Sequence, residues 1–155
     1  MPGEALKRVL DANGVGYDLI PHSHTESAAA EAAALGVTTK EVAKTLVVST
    51  PSGNVRAVLP ASRRIDLRKL ADVFEAGRKS VDLLTEDELA RGYPEFELGA
   101  VPPVGGREEP VVLDRTLVAQ ESIVLEAGNH DESVRLLTED LVRLARARVA
   151  DISQE

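Results

Sequence analysis

At 155 residues, 43% of them hydrophobic, the chain is long enough for one domain with a sizeable core. Aromatics make up only 3% and Trp is absent, so Val, Leu, Ile and Ala must fill that core. The lack of cysteine excludes disulfides, a cysteine nucleophile and thiolate metal sites, and a formal charge of −8 argues against generic nucleic-acid binding, DNA included. Glu4, Lys7, Arg8 and Asp11 interrupt any leader-like apolar run, and no stretch approaches the roughly 20 apolar residues of a membrane helix. The expectation is a cytoplasmic protein with no membrane contact.

Ala5, Leu6, Val9 and Leu10 recur at helical spacing and predict a helix over 4–13, ended by Asn13-Gly14. Tyr17 to Ile20 reads as a short strand stopped by Pro21. His22-Ser23-His24-Thr25 then leads into an alanine-rich helix, about 26–35, closed by Gly36. Two histidines without a nearby third ligand form a weak metal set, so no metal is expected. His22 or His24 lining a ligand pocket is the functional alternative. Thr38 and Glu41 have capping-box spacing and predict a short helix over 39–43. Thr45–Thr50 and Val55–Leu59, separated by Pro51-Ser52-Gly53-Asn54, predict a hairpin. Lys44 stands at its mouth, where its stem can pack while the ammonium meets an anion.

Asp66 is placed to cap a helix over 67–75. Arg63, Arg64, Arg68 and Lys69 make a local basic cluster, either a solvated face or a phosphate-tracking patch. Val81–Leu84 reads as a strand, and Thr85 with Glu88 opens a helix stopped by Gly92. The segment Gly99-Ala100-Val101-Pro102-Pro103-Val104-Gly105 is stiff: two prolines fix φ and remove donors, and the glycines permit close backbone approach. A Cβ at Gly99 is expected to intrude on a ligand path. Strands follow over 111–114, 122–126 and 133–137, then a helix from Thr138 and a final edge strand near 149–152. Helices and hairpins mix without regular βαβ alternation. The prediction is α+β: a single domain over 1–155 with a mixed, curved or barrel-like sheet surrounded by helices.

The sequence has no phosphate-binding glycine loop, nucleophile elbow or His-Glu-x-x-His motif. An enzyme built from these residues would work by positioning its substrate.

The Ala43-Lys44-Thr45-Leu46-Val47-Val48 run, the Gly99–Gly105 loop and the Glu126-Ala127-Gly128 turn together resemble the YbaK/prolyl-tRNA-synthetase-associated editing domain family, in its free-standing form. The resemblance spans about residues 4–153. It implies a trans-editing hydrolase that cleaves the ester between a wrong amino acid and the terminal adenosine of a tRNA, often tRNA(Pro), without a metal or other cofactor. It implies that Lys44 holds the acceptor end. Backbone groups of Gly99 and Ala100 would hold the reacting carbonyl or its water. The implied substrate pocket draws on His22, His24, Thr45, Val101, Pro102, Pro103, Gly105, Ala127, Gly128 and Ser133. Arg63, Arg64, Arg68 and Lys69 would follow the tRNA, with prolyl-tRNA synthetase as a candidate partner. Alanine-specific members tend to carry a histidine near 126–129, where this chain has Glu-Ala-Gly-Asn. The cysteine-specific type tends to carry Ser-Gly-Gly there and an aspartate near position 133, where this chain has Ser133. The amino acid removed stays open. Two rival readings are a tRNA- or small-ligand-binding module that kept the fold, and a small-ester or thioester hydrolase outside translation. A basic cluster beside Lys44 would favour RNA.

Overall fold

The computed structural model describes residues 4–25 and 27–154. Helix α1 (Glu4–Ala12) buries Leu6 and Leu10 and ends where Gly14 takes a φ of 65°. Strand β1 (Asp18–Pro21) follows. Helix α2 (Ala28–Leu35) starts at Ser27, whose side chain accepts from the Ala30 N–H, and closes at Gly36 in the left-handed region. The N-terminal edge of its predicted range falls on residue 26, outside the described residues.

The helix expected over 39–43 does not form. Glu41 does reach back, its carboxylate accepting from the Thr38 N–H at 3.3 Å and the Thr38 hydroxyl at 3.0 Å. Those bonds close a turn instead, because Val42 is drawn into a bridge with Val124. Strand β2 (Ala43–Thr50) then pairs in register with β3 (Gly53–Pro60), Lys44 opposite Leu59, as the hairpin pattern predicts.

Helix α3 (Leu67–Val73) is capped by Asp66, which accepts from the Arg68 and Lys69 amides. Strand β4 (Asp82–Leu83) precedes helix α4 (Glu86–Gly92), where Thr85 and Glu88 form the full reciprocal capping box. The remaining elements are β5 (Val111–Asp114), β6 (Ser122–Glu126), β7 (Glu132–Leu137), helix α5 (Thr138–Ala145) and β8 (Arg148–Ala150). A 3-10 turn over Arg115–Ala119, which periodicity does not reveal, hangs on the Asp114 side chain.

The strands form two sheets. One is a mixed five-stranded sheet in the order β4-β2-β3-β5-β8, with β3–β5 and β5–β8 parallel. The other is an antiparallel three-stranded sheet in the order β1-β7-β6. They meet at the Val42–Val124 bridge, and the whole does not close into a barrel. The α+β expectation therefore holds, with an open arrangement in place of a closed one. The main core gathers Leu6 and Leu10 of α1 with Val58, Leu113, Leu125, Val134 and Leu141. A second cluster packs Leu70 and Ala71 of α3 on Val55, Ala57 and Val112. Because β3 lies between two partners and is covered on both faces, residues 55–60 are all buried, Arg56 included.

Arg56 is 1% exposed. Its guanidinium donates to the Pro102 carbonyl at 2.9 Å, the Gly105 carbonyl at 2.8 Å and Glu109 Oε1 at 3.0 Å. Tyr93 donates to the other Glu109 oxygen at 2.5 Å. Each donor and acceptor thus has a partner, which a buried charge requires.

Candidate active site

A cavity of about 230 Å³ opens where β2, α2, α4, the end of β6 and the Gly99 loop converge. Its wall is mostly apolar, with Leu46, Val47, Leu83, Leu84, Leu89, Val101 and Leu125. Its polar side chains are Glu31, Lys44, Thr45 and Glu126.

Lys44 is the second residue of β2 and half-buried. Burial lowers its pKa, and the nearby Arg64 charge adds to the effect. Among the described residues its ammonium has no hydrogen-bond or ion-pair partner.

The loop enters the wall through a tight turn. The Ala100 N–H donates to the Glu97 carbonyl at 3.0 Å, and Gly99 sits at φ 81°, as a type II turn requires at its third position. That bond consumes the Ala100 donor. The Gly99 and Val101 amides have no acceptor among the described residues. The turn is tethered from behind. His130, 2% exposed, reaches the Leu98 carbonyl through Nε2 at 2.6 Å and Glu126 through Nδ1 at 2.8 Å. The Glu97 N–H donates to the Gly128 carbonyl at 2.9 Å. A Cβ at Gly99 would lie 3.6 Å from His130 Cε1, an ordinary contact, so it would lean on the tether.

A second polar line lies behind α2. The register Ile20–Ser133 and the His22 N–H bond to the Asp131 carbonyl carry His22 alongside β7. There His22 Nε2 is 2.9 Å from Ser133 Oγ, and the Ser133 hydroxyl donates to Glu31 Oε2. Glu31 is fully buried. Burial raises its pKa, and the Ser133 bond offsets this in part. Glu126 is pushed up to about 8, first by burial and then by the Glu31 charge, against the opposing pull of His130. Burial works against the His130 cation, but the Leu98 carbonyl and Glu126 outweigh it and raise its pKa. Both His130 nitrogens face oxygens, and the Glu126–His130 pair titrates as a unit, with a proton between Nδ1 and the carboxyl group.

Of the residues singled out from sequence, Lys44, Thr45, Gly99, Ala100 and Val101 share the cavity wall. Ser133 stands one hydrogen bond behind it, through Glu31, and His22 stands two behind. His24 lies off the wall, half-exposed and 3.0 Å from Asp131, with its ring edge-on to His130. Pro102, Pro103 and Gly105 do not reach the cavity, since Arg56 binds the Pro102 and Gly105 carbonyls. Pro103 and Gly105 instead line a separate surface hollow with α1 and α5 residues. Ala127 and Gly128 are also off the wall: the Ala127 N–H bonds the Glu132 carbonyl, and Gly128 anchors Glu97. The basic cluster splits. Arg64 is exposed near Lys44, and Arg68 is exposed. Arg63 bonds Ser153 and Gln154, and Lys69 bonds Asp151 and the Ser153 carbonyl.

Sequence reasoning missed Glu31, Glu126 and His130. One signal was available for Glu31: it is the single acid in an Ala-Ala-Ala-Glu-Ala-Ala-Ala helix. Among the described residues, no group of three His, Asp or Glu is placed to hold a metal ion. Nor is any helix there long and apolar enough to cross a membrane.

Residues 22–144 match the sequence profile of the family described as the aminoacyl-tRNA editing domain. The chain belongs to that family. One relative is EbsC of Enterococcus faecalis, named as a Cys-tRNA(Pro)/Cys-tRNA(Cys) deacylase. It is 30% identical over 131 residues, 82% of this chain and 77% of its own. A crystal structure described as a trans-editing enzyme for prolyl-tRNA synthetase superposes with a TM-score of 0.88 at 24% identity, covering 99% of this chain and 98% of the other. The hypothetical protein APE2540 superposes at 0.87 with 26% identity, covering 96% and 98%.

Proposed function

We propose that this protein is a trans-editing aminoacyl-tRNA deacylase acting on a mischarged tRNA, with tRNA(Pro) carrying a small wrong amino acid as the leading substrate. The observation that supports this most is the meeting of an unpartnered Lys44 and two free backbone amides on one small cavity. At about 230 Å³ the cavity is smaller than the roughly 300–1,000 Å³ of sites that enclose a whole drug-sized ligand, and it suits the aminoacyl end of a larger substrate.

On this reading Lys44 meets a phosphate of the acceptor end as a point charge, with Arg64 extending the basic field. Water adds to the ester carbonyl carbon, and the electron pair moved onto oxygen is met by the Gly99 and Val101 amides. One such donor contributes about 3 kcal/mol, roughly a hundredfold in rate. Collapse breaks the bond from carbon to the ribose oxygen. The vicinal ribose hydroxyl passes one proton from the attacking water to that leaving oxygen, and the amino acid departs as its carboxylate, the second water proton going to bulk water. The cavity size sets which amino acids enter, as in a double sieve. The protein acts in the cytoplasm, with aminoacyl-tRNA as its partner and prolyl-tRNA synthetase as a candidate for delivering it.

The test is a deacylation panel of tRNA(Pro) charged with Ala, Cys, Ser, Thr or Pro. Rapid release of one small amino acid is expected. Lys44→Ala should lower that rate at least about a hundredfold while its circular dichroism stays native. Binding without release from any member would leave a tRNA-binding module, and neither binding nor release would leave only a shared fold.

A further inference from the structure

Helix α2 carries one charged residue among alanines, and that residue is turned inward. Glu31 is fully buried and lines the cavity. One carboxyl oxygen, Oε2, accepts from Ser133, and the other, Oε1, has no partner. Its neighbour Ala32 packs with Val42 and Val124 in an apolar cluster, while the Glu31 charge is felt at Glu126 and met by His22 and His130. A buried acid with an open valence costs folding free energy that an Ala or Met here would not. The Ser133–His22 line behind it fixes the orientation of the carboxyl group but supplies nothing to Oε1. Glu126, on the same wall, is engaged by His130 through Oε2. The cavity therefore offers acid oxygens at one place and the Lys44 ammonium at another, a polarity suited to a substrate with an anionic backbone and a donor-bearing aminoacyl group.

We propose that Glu31 is the specificity-determining group of this cavity, its Oε1 accepting a hydrogen bond from a donor on the aminoacyl moiety. The donor is the α-ammonium group or a side-chain hydroxyl or thiol. This rests on the deacylase reading for the identity of the ligand, while its test reads binding and not turnover. An aminoacyl group lacking the donor leaves Oε1 unpaired, and discrimination follows from that unmade bond.

The probes are three stable analogues in which 3′-amino-3′-deoxyadenosine carries a seryl, 2-aminobutyryl or N-acetylseryl group through an amide. The 2-aminobutyryl group replaces the hydroxyl by a methyl of similar size, and N-acetylation removes the cationic amine. Calorimetric titration of the full chain is expected to show the seryl analogue binding at least about tenfold tighter than one of the other two. Weak binding of the 2-aminobutyryl analogue identifies the side-chain donor, and weak binding of the N-acetyl analogue identifies the α-ammonium. Glu31→Met should erase the preference and raise the melting temperature, a pairing that a purely structural role would not give. If Glu31→Met does not fold, Glu31→Gln, which keeps a partner for Ser133, should weaken the seryl analogue about tenfold. Equal wild-type affinity for all three analogues overturns the proposal. So does binding of none of them, or a wild-type pattern in a folded Glu31 variant. A wild type that releases no amino acid from tRNA yet shows the Glu31-dependent preference would refute the hydrolase and keep the subsite.

Discussion

The Gly99–Glu109 segment divides into two stretches that behave differently. Gly99 to Val101 forms cavity wall, keeps two amides free and is held by one buried histidine on Leu98. Pro102 to Glu109 is pinned by Arg56, which binds the Pro102 and Gly105 carbonyls and the Glu109 carboxylate, with Tyr93 closing the arrangement. What separates them is the buried cation: the first stretch faces a cavity, and the second is pinned to Arg56.

Breaking the stretch pinned to Arg56 should have the largest effect on folding. Arg56→Met leaves Glu109 and two carbonyls buried without their cation, with an expected loss of about 3–5 kcal/mol and a fall in melting temperature of roughly 10 °C. Lost activity with an unchanged melting temperature would show that this half is functional. Cutting the tether of the other half should do the reverse. His130→Ala is expected to lower the deacylation rate tenfold or more with a smaller thermal penalty, and His130→Gln, which retains a donor for Leu98, should recover part of it. An inactive Gln variant as stable as the wild type would assign His130 a role beyond holding the loop.

The pH dependence follows from the same tether. Glu126 binds its proton more tightly in the folded state, at about 8 against an ordinary 4.5, and the His130 pKa is also raised. The stabilising contribution is complete below 4.5 and is lost as pH climbs through about 8. Melting temperature should therefore decline between pH 5 and pH 9, and Glu126→Gln should flatten the decline. An identical slope in that variant would place the titration elsewhere. Least disruptive is Gly99→Ala. No atom clashes with the new Cβ, so the cost is that of a positive φ, about 1 kcal/mol, read by denaturant titration. A loss several times larger would mean that the turn cannot adjust.

Much of the local structure was legible. The hairpin, the Asp66 cap and the Thr85–Glu88 box follow from residues close in sequence, and they form as read. Lys44 and the Gly99 loop have plain local readings, a strand-end lysine and a Pro/Gly connection, and they became candidates through the family resemblance. The rest depends on partners far along the chain. Nothing local marks Arg56 as buried, and its burial follows only once β5 pairs with β3. Lys69 reads as a phosphate contact until Asp151 arrives beside it. Glu31 reads as a helix surface residue because an alanine run has no apolar face to show which side turns inward. Pro and Gly in 102–105 suit a ligand loop and a structural one equally, and only the Arg56 donors distinguish them.

The pairing of β1 with β7 bears on the timing of synthesis. Ile20 faces Ser133, so the His22–Ser133–Glu31 line joins residues more than a hundred positions apart. At about 5–20 residues per second, the first strand waits on the order of ten seconds for its partner to be made. The α2 side of the cavity is complete only once β7 has left the ribosome. Lys44 and the hairpin therefore leave the ribosome well before the strand that orders the Glu31 side of the cavity.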